Sequence, residues 1–308
     1  MTLDIIIINW NSSYQLRDCI NSVLAHGAVF FNRIVIVDNG SSDDSIQLIE
    51  NHGQLTIIRL QENLGFGKAC NIGAADSKAE YLLFLNPDAL LFSNSLGAAL
   101  NYMKFPENSA VGICGIQLVD EHNKVSRSCT HFPTSGSFIC HAIGIDRIFP
   151  KLGFTMRSWD HSSVQDVDHV IGAFYLVRRP VFDQLEGFDE RFFVYLEDLD
   201  FSKRARSAGW RIAYLASVQA FHAGGGTSKQ IMARRLFYSV RSRLLYAYKH
   251  LPWVGATFVL LATLGVEPLS RSVQAVGCAS WSGFKETWSA YAMLWRWLPR
   301  WVWRGETT

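Results

Sequence analysis

Four short apolar runs punctuate the first third of the chain: Ile5–Ile8, Ile34–Val37, Leu55–Leu60 and Tyr81–Leu85. Between them lie patterns of helical period, from Tyr14 to about His26, from about Asp43 to Asn51 and from about Gly67 to Ala75. Short β-branched runs alternating with helical patterns predict βαβ units on a parallel sheet, hence an α/β fold. Farther on, Val111–Val119 and Ile212–Leu215 read as strands, Val167–Val177 is strand-like, and Glu121–Val164 reads as irregular. Within Phe188–Gly209, Glu197, Asp198 and Asp200 precede Lys203, Arg204 and Arg206, with Gly209 as a stop. Acids first and bases last suit a helix dipole, so a helix is expected there.

Each early run ends in a polar cluster: Asn9-Trp10-Asn11, Asp38-Asn39-Gly40, Asn63 with Gly65 and Gly67, and Asn86-Pro87-Asp88. Ligands of open α/β sheets bind beyond the carboxyl ends of the strands, so the four clusters predict one ligand edge. Any one of them alone is more commonly an Asx turn or a helix cap. The stretch Asn63–Asn71 has the look of a dinucleotide loop, but Cys70 stands where the third glycine belongs and the stretch follows the third run. Both features argue against a hydride-transferring enzyme.

Composition narrows the setting. A hydrophobic share of 49% in 308 residues supplies a buried core. The six cysteines form no CxxC pair, which speaks against a zinc site or a disulfide framework and suits a reducing cytoplasm. No basic leader precedes Ile5, so no signal peptide is expected. The net charge of +2 hides an asymmetry: residues 1–200 hold 14 Lys and Arg against 24 Asp and Glu, and residues 201–308 hold 15 against 3. A cationic half calls for an anionic partner, a lipid surface or a diphosphate rather than nucleic acid; the alternative is a solvated surface that balances the acidic half.

Three places can carry chemistry. Asp88 follows an apolar run directly and can ligate a divalent cation, although on its own it reads equally as a cap or turn residue. The adjacent Glu197 and Asp198 can divide positioning and proton acceptance between them, although acids in a first helical turn are ordinary stabilisers. His222, in FHAGGGTS, can meet a metal or a phosphate, and Gly224-Gly225-Gly226 reads as a mobile loop able to close over a ligand; a lone histidine is more often structural.

The ordered set IIIINWN (from Ile5), VDNGSSD (from Val37), NLGFGKACNIG (from Asn63), LFLNPDA (from Leu83), GAFYLVRR (from Gly172), GFDERFFVYLEDLDFSKRARSAGW (from Gly187) and FHAGGGTS (from Phe221) resembles glycosyltransferase family 2, in particular its rhamnosyltransferase-like subgroup. The resemblance implies a GT-A fold with a mixed, mainly parallel sheet: a catalytic domain over residues 1–230, its donor half 1–105 and its acceptor half 106–230, and a helical region over 231–308. It implies donor contacts among Asn9, Trp10, Asn11, Asp38, Asn39, Asn63, Gly65, Lys68, Asn71, Asn86 and Asp88, with Asp38 at the base or ribose. It further implies Mn2+ or Mg2+ at Asp88 and His222, with Asp198 as general base beside Glu197. Asn86 replaces the first acid of the family's DxD motif. The QxxRW motif of processive synthases is absent, which implies single additions. The implied reaction is inverting transfer of a sugar, by subgroup L-rhamnose from dTDP-rhamnose, to a glycan acceptor linked to polyprenyl diphosphate, at the cytoplasmic face of the cell membrane. Two other classes compete: a non-catalytic sugar- or nucleotide-binding protein, favoured by Asn86, and a nucleotidyltransferase, whose glycine- and arginine-rich loop is replaced by Asn9–Ser13.

The C-terminal region adds the partner. Leu251–Val266 is an apolar stretch of 16 residues interrupted by Pro252 and Gly255. A spanning helix needs ~20 residues, so an interfacial or re-entrant helix is expected. Trp288, Trp295, Trp297, Trp301 and Trp303 alternate with Arg296, Arg300 and Arg304, a composition suited to an anionic membrane surface. The other use of such helices is packing on the catalytic domain or homo-oligomerisation.

Overall fold

The computed structural model describes residues 3–49, 53–224 and 232–307. In chain order the elements are β1 (Leu3–Asn9), α1 (Tyr14–Gly27), β2 (Arg33–Asn39), β3 (Leu55–Leu60), α2 (Phe66–Ala74), β4 (Tyr81–Leu85), β5 (Ala89–Leu91), α3 (Ser95–Lys104), β6 (Val111–Val119), β7 (Val125–Ser126), β8 (Cys129–Thr130) and α4 (Ser135–Ile143). There follow β9 (Gln165–Asp166), β10 (His169–Val170), β11 (Phe174–Arg178), α5 (Arg179–Gln184), α6 (Glu197–Ser207), β12 (Arg211–His222), α7 (Met232–His250), α8 (Trp253–Leu261), a π turn (Ala262–Val266), α9 (Glu267–Gly277) and α10 (Trp281–Arg304).

Contacts divide the chain into two units: one of Met1–Thr130, Trp159–Glu190 and Glu197–Thr227, the other of His131–Ser158, Arg191–Leu196 and Ser228–Thr308. The second unit thus gathers two earlier excursions of the chain together with its C-terminal residues.

The first unit is built on a sheet of order β3-β2-β1-β4-β11-β6-β12-β5, with β7 beside β6 and β9 beside β12. From β3 to β4 the strands are parallel; β11 enters antiparallel between β4 and β6, and β12 returns parallel to β6. β1 is buried along its whole length because both sheet faces are covered, the usual cause of an unbroken apolar run. Ile5, Ile7, Leu83 and Leu85 share a core with Leu16, Cys19 and Val23 of α1 and with Leu96, Leu100 and Met103 of α3. On the other face α2 approaches so closely that a Cβ at Gly73 would stand 2.7 Å from Ile6. An aromatic group of Phe84, Tyr175, Phe182, Phe188 and Phe201 packs β4 and β11 against α5 and α6.

Three expectations from sequence are corrected. Among the described residues the helix expected over about Asp43–Asn51 is a series of turns: the Asp43 carboxylate accepts from the N–H and hydroxyl of Ser45 and from the Ser13 N–H, and the backbone bonds that follow are Leu48 N–H to the Asp44 carbonyl and Ile49 N–H to the Ile46 carbonyl. The irregular Glu121–Val164 stretch contains α4, which has a reciprocal Thr134–Ser137 capping box and ends on left-handed Gly144 (φ 79°). The strand-like Val167–Val177 is split: His169–Val170 pairs with β8 in a separate two-stranded sheet, and only Phe174–Arg178 joins the main one.

In the second unit the apolar stretch extends past Val266 into one helical segment, Trp253–Gly277, 25 residues long. Glu267 and Arg271 hid that continuity. Glu267 is buried, accepts from Arg243 of α7 at 2.6 and 3.1 Å and pairs with Arg271 one turn on at 2.8 Å. The excursion at Arg191–Leu196 is held on α7 by the Ser242 hydroxyl, which donates to the Val194 carbonyl at 2.8 Å, and by Phe193 stacked on Tyr238. Arg241 is buried there against the faces of Phe193, Phe237 and Tyr238. Burial pulls its guanidinium down to about 10.

Candidate active site

The carboxyl ends of β1, β2 and β4 lie side by side, as the parallel register Ile8↔Val37 and Ile7↔Leu85 requires. Asn9 is fully buried beneath this edge, and its amide donates to Asp38 (3.0 Å), Ser41 (3.0 Å) and Ser45 (2.8 Å) while accepting from Ser12. Its geometry is that of a residue that positions Asp38. Asn39 joins the next loop to the edge by donating to Asn63 Oδ1 and the Gly65 carbonyl and accepting from the Leu64 N–H. Asn11 (φ 50°) accepts from the Ser42 N–H at 2.7 Å, and Ser13 shares its left-handed backbone. Such strain in non-glycine residues is held by surrounding bonds and clusters at functional sites. Trp10 and Asn86 are half-buried at the same edge.

Lys68 and Asn71, both on α2, meet the Phe188–Glu190 loop. Asn71 clamps the loop before α6, donating to the Phe188 carbonyl (2.9 Å) and to Glu190 (3.1 Å) and accepting from the Phe188 N–H (2.9 Å). Lys68 stands 3.7 Å from Glu190, both half exposed.

Asp88 and His222 come together across the sheet. β5 pairs antiparallel with the end of β12, His222 opposite Ala89, and the Ala223 N–H donates to the Asp88 carbonyl. The His222 Nε2 lies 3.2 Å from Asp88 Oδ1. A carboxylate oxygen and an imidazole nitrogen this close are chemically suited to Mn2+ or Mg2+. No group of three or more His, Cys, Asp or Glu that could hold a metal stands together among the described residues. Asp88 and His222 are the residues that would hold such a cation, which would supply charge neutralisation at a diphosphate. Gly225 and Gly226 of the expected mobile loop lie outside the described residues.

The acidic pair opens α6 after two left-handed residues, Tyr195 (φ 69°) and Leu196 (φ 66°). Asp198 accepts from the Gly172 N–H at 2.7 Å through Oδ2 and from the Leu199 N–H at 2.8 Å through Oδ1. Its carboxylate remains partly exposed, 18% of the side chain. Glu197 is buried and its Oε2 has no hydrogen-bond partner. Burial, with the neighbouring Asp198 charge adding to it, pushes the Glu197 carboxyl well above the ordinary carboxylate range. Exposure and fixed orientation therefore belong to Asp198, and an enclosed carboxyl whose burial disfavours its charge to Glu197.

Sequence reasoning missed the group behind Asp198. His169 is buried with Nε2 at 3.7 Å from Asp198 Oδ2 and Nδ1 within hydrogen-bonding distance, 3.0 Å, of the Ser202 hydroxyl. Tyr175 shares a 2.7 Å bond with Ser202 and donates to the Asp198 carbonyl at 3.2 Å. Burial pulls His169 down against the opposing pull of Asp198, so it stands as a neutral support. No local signal marks His169; only the Gly172-led motif nearby points to this stretch.

Residues 4–185 match the sequence profile described as Glycosyl transferase family 2. The chain belongs to this family. This glycosyltransferase is 27% identical over 237 residues to the N-acetylglucosaminyl-diphospho-decaprenol L-rhamnosyltransferase of Mycobacterium tuberculosis H37Rv, covering 71% of this chain and 76% of that one. It is 28% identical over 225 residues to the rhamnosyltransferase WbbL of Escherichia coli K12, covering 70% and 81%. Among solved structures, the mannosyltransferase PcManGT of Pyrobaculum calidifontis, in complex with GDP-Man and Mn2+, matches with a TM-score of 0.56 at 16% identity, over 98% of this chain and 87% of that one. That likeness is one of fold: a GT-A architecture of mixed sheet and C-terminal helices.

Proposed function

We propose that the protein is an inverting, divalent-cation-dependent glycosyltransferase that moves L-rhamnose from dTDP-rhamnose to a hydroxyl of a glycan carried on polyprenyl diphosphate. The reaction would serve cell-surface polysaccharide synthesis at the cytoplasmic face of the membrane. The observation that carries the reading is the pairing of two kinds of chemistry on one unit: Asp88 with His222 at 3.2 Å, and an Asp198 carboxylate fixed by the Gly172 N–H. Rhamnosyl transfer draws support from both relatives, and a lipid-linked acceptor from the Mycobacterium tuberculosis one, which acts on N-acetylglucosaminyl-diphospho-decaprenol.

In this reading Asp38, oriented by Asn9, meets the nucleoside, and Asp88 and His222 hold the cation. When bound, such a cation neutralises the charge of the departing diphosphate. Asp198 accepts the acceptor hydroxyl's proton as that oxygen attacks the anomeric carbon opposite the leaving group. Glu197, whose burial disfavours its charged form, encloses the site beside Asp198 without competing for that proton. One base suffices for a single inverting displacement.

A donor screen tests the reading: nucleoside-diphosphate release is measured for a panel of nucleotide sugars with Mn2+, with Mg2+ and with chelator. Release from dTDP-rhamnose, dependent on cation and acceptor, is expected. Binding of donors with no release from any of them would contradict it.

A further inference from the structure

In the second unit the Trp253–Gly277 segment is, among the described residues, the one helix long and apolar enough to cross a membrane by length and composition. Its inner side is committed to protein: Ala256, Val259, Thr263 and Ala275 are buried, and Glu267 sits in its ion pairs with Arg243 and Arg271. Crossing a bilayer would strip those charges of their partners. The outer side differs. Val254, Phe258 and Leu261 before the π turn, and Leu269, Val273 and Val276 after it, recur at three- and four-residue spacing and are all exposed, Val273 to 73%. The segment's charged residues, Glu267 and Arg271, pair with each other, and the exposed stripe carries no charge.

A second exposed apolar group adjoins it. The loop leaving α4 presents Ile148 (75% exposed), Phe149 and Leu152, interleaved with exposed Arg147 and Lys151. The loop starts where α4 touches α9, at the Ser270 hydroxyl that donates to the Ile143 carbonyl at 3.1 Å. On α10, Trp297 is buried and stacked on Trp301 and the Trp288 N–H donates to Ser272, while Trp281, Trp295 and Trp303 are exposed. Apolar side chains bracketed by cations match the two layers of an anionic bilayer surface, acyl chains beneath phosphates.

We propose that the outer stripe of α8 and α9 and the Arg147–Leu152 loop form one docking surface for an anionic lipid bilayer. The helix lies in the headgroup plane and the loop inserts beside it. The proposal rests on the lipid-linked acceptor of the functional reading, to which such docking delivers the enzyme.

The test is co-sedimentation of the full-length protein with phosphatidylcholine vesicles, with and without phosphatidylglycerol, at low and high salt. Ile148→Ser with Phe149→Ser, and separately Val273→Ser with Val276→Ser, should each weaken vesicle binding about tenfold. Arg147→Gln with Lys151→Gln should weaken binding to the anionic vesicles alone by about tenfold and flatten its salt dependence. Thermal midpoints and donor turnover with a soluble acceptor should stay at wild-type values in all three. Vesicle binding that the serine pairs leave unchanged, no binding by the wild type, or retention in the membrane after alkaline carbonate extraction would overturn the proposal. So would a concentration-dependent dimer lost in Val273→Ser/Val276→Ser. Docking that follows these residues while no donor turns over would defeat the catalytic reading and leave the surface standing.

Discussion

Replacing Glu267 by Gln removes the carboxylate from a fully buried site while both guanidiniums remain. Burial alone would push this carboxyl up, but Arg243 at 2.6 Å and Arg271 at 2.8 Å outweigh it and hold it down from 4.5 to about 2. A shift of that size corresponds to about 3 kcal/mol of stability at neutral pH. Breaking a buried pair from one side costs ~3–5 kcal/mol, because the surviving charge is left uncompensated. The two routes agree, and the variant's thermal midpoint should fall by roughly 6–12 °C. The sign of the pH dependence follows. Because folding depresses this carboxyl, its contribution is complete above 4.5 and is lost as pH falls toward about 2. The gap between wild type and Glu267→Gln should therefore close across that window. Circular dichroism melts of both proteins from pH 7 to pH 2 measure it. Arg243→Met with Glu267→Leu and Arg271→Leu, which removes every charge of the cluster, should recover most of the loss. A Glu267→Gln protein within ~0.5 kcal/mol of wild type at neutral pH would refute the reasoning, since that is the range of ordinary surface substitutions.

Asp198→Asn should abolish transfer while donor affinity, read by calorimetry, changes no more than a few fold; normal turnover there with loss in Glu197→Gln would reverse the two roles. Asp88→Ala and His222→Ala should each weaken Mn2+-dependent donor binding about tenfold or more and leave cation-free binding unchanged; equal affinity with and without cation in wild type and both variants would remove them from the diphosphate. Gly172→Ala, whose Cβ would stand 3.2 Å from Asp198 Oδ2, should lower kcat more than it raises KM, whereas a purely structural glycine would show a lower melting point with kcat intact.

The fold was legible where physics is local. The runs at Ile5–Ile8 and Tyr81–Leu85 read as strands because a sheet covered on both faces demands unbroken apolar sequence. The turns at Asp43–Ile49 were not, because an Asp accepting from the N–H two residues on looks the same in sequence whether a turn or a helix follows it. The long C-terminal helix was cut short on paper because Glu267 and Arg271 look like surface residues until Arg243, 24 positions earlier, is placed beside them. The site shows the same division. Asp88, Asp198 and His222 stand out as motif residues, but their partners depend on strand pairing: His222 reaches Asp88 through the β5–β12 register, and Gly172 and His169 reach Asp198 from β10 and the turn after it. Asn9, which sequence places among the donor contacts, is spent on aligning Asp38, a role visible only once its amide bonds are known.

The central claim is group transfer by this chain's own residues, and the most direct measurement is the stoichiometry of transfer. Purified wild-type protein and Asp198→Asn are incubated with dTDP-rhamnose, Mn2+ and a polyprenyl-diphosphate-linked glycan, and released dTDP and glycosylated acceptor are quantified together, with the product's anomeric configuration read by NMR. The account predicts equal amounts of both products from the wild type, a linkage of configuration opposite to the donor's, and neither product from Asp198→Asn. A linkage with the donor's configuration retained, or wild-type transfer by Asp198→Asn, would contradict it.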